Sequence, residues 1–237
     1  MNLRKSLESN QLFFNFFAII AAFVTYSCMY AFRKPFTAAT FEGMEFWGID
    51  YKVLLIVAQV FGYTLSKFIG IKVVSEMGTA KRAFAIFILL SLAAISLLCF
   101  ALAPSPYNLI FMFLNGLPLG MVWGIVFSFL EGRRTTEVLG AGLSISFIFS
   151  SGFVKTIGKT LMQDYAIDPF WMPFATGMLF VPILIVSLYM LNKLPEPSAE
   201  DISHRTKREP MTKKQRVNFF REFAPGLILL ILAYSLL

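Results

Sequence analysis

The chain has 237 residues, of which 57% are hydrophobic and 15% charged, and its mean hydropathy is +0.69. Soluble domains run nearer about 45–50% apolar and about 25% charged, so an ordinary soluble fold is excluded and an all-α membrane protein is expected. The net charge of +7 would point a soluble chain toward nucleic acid, but loops on the cytoplasmic side of membrane proteins collect Lys and Arg, and no nucleic-acid partner is expected.

About 20 apolar residues cross a bilayer as a helix, and six stretches qualify: 12–40, 52–72, 83–104, 107–130, 138–160 and 169–192. Residues 1–11 form a cytoplasmic N-terminus; "MNLRK" precedes a long apolar stretch with no A-x-A site, so a first membrane helix is expected rather than a cleaved signal. The first span is interrupted by Arg33, Lys34 and Pro35. The fifth is the most polar, carrying Ser144, Ser146, Ser150, Ser151 and Lys155. Cys28 and Cys99 both fall inside apolar runs and suggest no disulfide framework.

Charge in the connections sets the expected orientation. Arg4 and Lys5 precede span one, Lys72, Lys81 and Arg82 follow span two, and Arg133 and Arg134 follow span four. The opposite connections read "EGMEFWGID", "PSPYN" and "QDYAIDP". Basic loops stay inside, so a multi-pass protein of the cell (inner) membrane with a cytoplasmic N-terminus is expected. Residues 193–222 read as a basic cytoplasmic linker held near anionic lipid, with "QRVNFFREF" as a short amphipathic helix. His204 stands in it with no partner at ligand spacing, and no motif calls for a metal or cofactor. Residues 223–237 read as the start of a seventh, truncated helix. The expected organisation is a six-helix bundle over 12–192 that forms one half of a two-bundle transporter, its C-terminal six-helix half missing.

Charges inside the spans carry the functional reading. Arg33, Lys34, Lys67, Lys155 and Lys159 lie in or at the edges of spans, and no Asp or Glu does so away from the ends. An unpaired cation in a membrane is costly and usually faces a hydrated cavity, so a small anionic substrate is the simplest partner. On span one Tyr26, Tyr30 and Arg33 share one face with Asn15; on span two Gln59, Tyr63 and Lys67 recur at steps of four; on span five Ser144, Ser151, Lys155 and Lys159 fall in one arc. The expected substrate-binding residues are Arg33, Lys67, Tyr26, Tyr30 and Lys155. Arg supplies a planar two-bond fork for phosphate or carboxylate, and tyrosine hydroxyls add neutral donors. Lys34 and Lys159 are also placed where their stems can snorkel to the outer interface. Counting about 1.5 Å per residue puts Arg33 about 30 Å above Phe13 and Lys67 only about 9 Å from the cytoplasmic end of its helix, which separates the two in depth.

"YSCMYAFRKPF" (26–36) resembles the first-helix signature of the organophosphate:phosphate antiporters, a branch of the major facilitator superfamily. "GYTLSKFIG" is similar to their second helix, with Lys67 at the basic position, and "FLNGLPLGMVWG" (113–124) to their fourth. The resemblance implies a twelve-helix, alternating-access fold that exchanges a phosphorylated metabolite for phosphate. It implies that Arg33 binds the phosphoryl group, Lys67 assists, and Tyr26 and Tyr30 line the site. Gly116 and Gly120 form a small-xxx-small pair for close helix packing.

The departures mark a divergent relative. Ser75 and Glu76 stand where the superfamily loop has Asp and Arg, and Ser150 or Ser151 replaces a fifth-helix histidine. "LEGRRTTEVLG" is a shortened connection whose Glu131, Arg133, Arg134 and Glu137 look like a local ion-pair cluster. The expected function is secondary active transport of a small organic anion, phosphorylated metabolites included. The alternative is a transporter-like sensor that binds the anion and signals without moving it. An enzyme is not expected, because the spans hold neither His nor interior Asp or Glu.

Overall fold

The computed structural model describes residues 3–198, 200–201 and 212–235. His204 and the bases at 205–208 lie outside the described residues. Two units are present, 1–206 and 207–237. The first holds a short helix α1 (Leu3–Ser9) and then α2 (Gln11–Ala31), α3 (Tyr51–Ser75), α4 (Arg82–Leu102), α5 (Leu109–Ser128), α6 (Thr136–Gln163) and α7 (Met172–Asn192). The six from α2 to α7 are long and apolar enough to cross a membrane. The protein is an all-α, multi-pass membrane protein, its only described sheet being a two-residue hairpin pairing Glu45 with Asp50.

Five of the six helices begin and end within three residues of the expected spans. The first does not: α2 stops at Ala31, and a 3₁₀ turn follows at Pro35–Ala38. Pro35 has no N–H to continue the ladder and its ring crowds the carbonyl four residues back, that of Ala31, where the helix ends; Pro118 and Pro182, by contrast, are carried inside their helices. Two of the spanning helices, α2 and α3, start at side-chain caps, Asn10 accepting from the Phe13 amide (3.1 Å) and Asp50 from that of Val53 (3.2 Å).

The principal packed pairs are α3 with α5, α4 with α5, α2 with α7, α2 with α6, and α4 with α7. Matching α2, α3, α4 in order to α5, α6, α7 sends this set onto itself: α2–α6 becomes α5–α3, α2–α7 becomes α5–α4, and α4–α7 is unchanged. Three spans per repeat reverse direction between repeats, so the two triplets are related as an inverted pair.

The α3–α5 contact is made by backbone. A Cβ at Gly116 would stand 2.2 Å from the Gln59 carbonyl oxygen, and one at Gly120 would stand 2.5 Å from that of Tyr63. This is the close approach that the small-xxx-small spacing anticipates. It fixes the height of Gln59 and Tyr63 against α5.

At the end of the bundle near the N-terminus, Arg133 and Arg134 reach beyond their own loop. The 129–135 turn, with Gly132 at φ +75, directs them to the chain leaving α7. Arg133 is 6% exposed, lies 4.5 Å over the Phe14 ring and donates to the Pro195 carbonyl. Arg134 pairs with Glu200 (3.0 Å), and its amide donates to Asp201 (2.9 Å). Asp201 also accepts from the Ser198 amide and hydroxyl. Pro195, Ser198, Glu200 and Asp201 are thereby tied onto the bundle.

The second unit is a single helix α8, Lys213–Ser235, with Pro225 inside it. It begins ahead of the expected start at 223 and takes in the stretch read as amphipathic.

Two outcomes follow. Gly116→Ala drives a methyl into the Gln59 carbonyl and destabilises the bundle by about 1–3 kcal/mol, read as a lower melting temperature in detergent micelles. Burial alone would raise the Asp201 carboxyl, but the Arg134 and Ser198 amides, the Ser198 hydroxyl and the Arg133 charge outweigh it and hold it below the ordinary 3.8. A carboxyl lowered by folding stabilises fully above its unfolded value and loses that contribution as pH falls through the folded one. The protection factor of the Arg134 amide, its exchange relative to the intrinsic rate at the same pH, therefore falls on acidification below the ordinary aspartate range, and Asp201→Asn removes that fall.

Candidate functional site

Gln59 is eight residues into α3, about 12 Å along it, and its Nε2 donates to the Arg33 carbonyl at 3.0 Å. The end of α2 is therefore inside the bundle rather than at its surface. Non-helical backbone at membrane depth is tolerated where protein groups satisfy it, and here carboxamides do so. Asn115 of α5 donates to the Phe32 carbonyl (3.2 Å) and to that of Ala93 on α4 (3.1 Å), while its own oxygen accepts from Gln59 (2.8 Å). Gln59 and Asn115 are both buried.

From this end the Arg33 side chain runs along α3. Its guanidinium carbon lies 3.8 Å from the centroid of the Tyr63 ring, and the Lys67 ammonium lies 5.1 Å from the same centroid. The separation in depth expected from residue counting does not occur. That count measured each helix from its own end; α3 stands beside α2 so that Gln59 is level with the Arg33 carbonyl, and the arginine stem reaches the next turn at Tyr63.

Two more expected residues join this cluster. The Tyr26 and Tyr30 rings meet edge to face at 5.4 Å. Tyr26 is 3% exposed, and its hydroxyl faces that of Tyr63 within electrostatic reach of Arg33. Lys155 is placed differently. It is exposed on α6, one turn before Gly158, against which Pro35 packs. It lies within electrostatic reach of Lys34, which is itself in reach of Arg33. Lys155 thus borders the cluster through Lys34 and does not touch Tyr63. Ser150 is buried and bonds Ser27 of α2 at 2.6 Å, joining two helices.

The charge balance is one-sided. Among the described residues, no ion pair forms with Arg33, Lys34, Lys67 or Lys155. The Arg33 Nε–H is buried with no hydrogen-bond partner, and a buried donor left unsatisfied costs about 1–3 kcal/mol or more when charged. Also among the described residues, no group of three or more His, Cys, Asp or Glu is placed to hold a metal. What the arrangement is chemically equipped to do is accept an anion.

Sequence reasoning placed Tyr63 on a polar stripe without seeing that its ring carries both cations. It passed over Asn115 altogether. The available signal was a lone carboxamide in an otherwise apolar, glycine-rich helix.

A family model described as "Family of unknown function (DUF5690)" matches residues 35–237. The chain belongs to this family. The matched region takes in Gln59, Tyr63, Lys67, Asn115 and Lys155, while Tyr26, Tyr30 and Arg33 precede it. No curated protein and no solved structure matches the chain.

The ring at position 63 is separable from its hydroxyl. Tyr63→Leu removes the surface under Arg33 and Lys67 and lowers stability by about 1–2 kcal/mol, whereas Tyr63→Phe keeps the melting temperature near wild type. Thermal unfolding of the purified variants distinguishes the two.

Proposed function

We propose that this chain is the six-helix unit of a secondary active transporter for a small organic anion, with phosphate monoesters the favoured class. The observation carrying this reading is the buried, unpartnered Nε–H of Arg33, beside a second cation and with no ion pair among the described residues. One anion satisfies the Arg33 fork, the Lys67 ammonium and nearby tyrosine hydroxyls together. Lys34 and Lys155 add positive potential at the margin that attracts the ligand.

The inverted relation of the two helix triplets and the helix broken at the site both support a major-facilitator type of architecture, in which ligands bind at interrupted helices. In that reading a second six-helix bundle closes the other wall of the chamber. Positive connections on one side support a cytoplasmic N-terminus in the cell membrane. Anion binding neutralises the chamber and lowers the cost of passing its charges through a closed, dehydrated state.

The test is counterflow of labelled phosphate against phosphate or a phosphate monoester, with the full-length protein in liposomes. Arg33→Ala lowers exchange at least about tenfold, the order expected for losing a buried charge-assisted contact, and Arg33→Lys restores part of it. Wild-type exchange by Arg33→Ala would end the proposal. Binding without exchange by the wild type would identify a sensor instead.

A further inference from the structure

Arg33 sits just past the C-terminus of α2, where the chain has left the helical ladder. Its own amide, with that of Lys34, bonds back to the Tyr30 carbonyl. Further on, the carbonyls of Phe32 and Arg33 face into the bundle, and both are met by side-chain amides from other helices. A helix end that stops in mid-bundle ordinarily has a choice of directions. Here that choice is removed twice over, because Gln59 and Asn115 are bonded to each other as well as to the backbone.

We infer that Gln59 and Asn115 are positioning residues for Arg33: their joined carboxamides cap the broken end of α2 and aim the guanidinium at Tyr63. Gln59 is one turn before Tyr63 on α3, so the cap and the ring belong to one rigid helix. That helix is seated on α5 by backbone contact at Gly116, next to Asn115. The cap, the ring and the cation are therefore held in one frame. The guanidinium needs little rearrangement when an acceptor arrives, and preorganisation of this kind raises affinity by lowering the ordering cost of binding. The inference rests on the anion reading only for what the guanidinium is held ready to meet; its placement is tested without any ligand.

The chemistry of the cap also predicts how it fails. A carboxamide donates to a carbonyl, and Gln59→Met keeps the volume and loses that donor.

Full-length protein labelled with ¹⁵N-arginine in detergent micelles gives the first readout, with the Arg33 Nε–H resonance assigned by its loss in Arg33→Lys. Over the face of Tyr63 this proton is shifted upfield by the ring current. The shift is expected to collapse in Gln59→Met and to change in Asn115→Leu, which removes the donor to the Phe32 carbonyl and the partner of Gln59. The second readout is binding of inorganic phosphate by calorimetry. Gln59→Met is expected to weaken it about tenfold, the order of one buried hydrogen bond.

An Arg33 resonance unchanged in Gln59→Met overturns the inference whatever phosphate does. Should Gln59→Met fail to fold, an Arg33 resonance unchanged in Asn115→Leu overturns it equally. A resonance that moves as expected in a protein that binds no phosphate supports the positioning role and removes the anion reading instead.

Discussion

A guanidinium stacked on a neutral ring, in a bundle whose interior supplies no acid, is the constraint around which the rest of this molecule is arranged. Stacking on Tyr63 at 3.8 Å gives Arg33 a partner that lessens its charge without cancelling it. A carboxylate in the same place would satisfy the cation and close the site to other anions. The ring leaves the Nε–H unsatisfied and the local potential positive. Instability at one atom is thus kept in reserve, and the surrounding packing has to sustain it.

That packing is unusually direct. α3 and α5 meet through backbone at Gly116 and Gly120, so no side chain lies between them to yield by changing rotamer. Gln59, Tyr63 and Lys67 project from one of these helices and Asn115 from the other. The carboxamide bridge then ties in α4 through the Ala93 carbonyl and α2 through those of Phe32 and Arg33. Four of the six spans converge on one polar knot. Its hydrogen bonds strengthen in a medium of low dielectric constant, and losing one strands the others.

Much of this was legible in the sequence, and what was not has physical causes. Five spans were read to within three residues because hydropathy alone decides whether a helix can sit in lipid. The break at Arg33–Lys34–Pro35 was visible as charge and a missing donor, but its depth was not. Depth depends on where α3 stands beside α2, and no count along either helix contains that. Asn115 was missed because one amide among apolar residues has no periodicity. The strap from Arg134 to Glu200 joins loops 66 residues apart. No pattern along the sequence links two segments that far apart.

The surplus of positive charge around Tyr63 also determines what is turned away. A sodium ion at that depth would face Arg33 and Lys67 and find neither carboxylate nor cluster of metal-binding side chains among the described residues to replace its water. A quaternary amine, which would otherwise seek an aromatic face, finds the nearest one already occupied by two resident cations. Among the described residues, a metal cation at this cluster meets like charge and no acid to receive it.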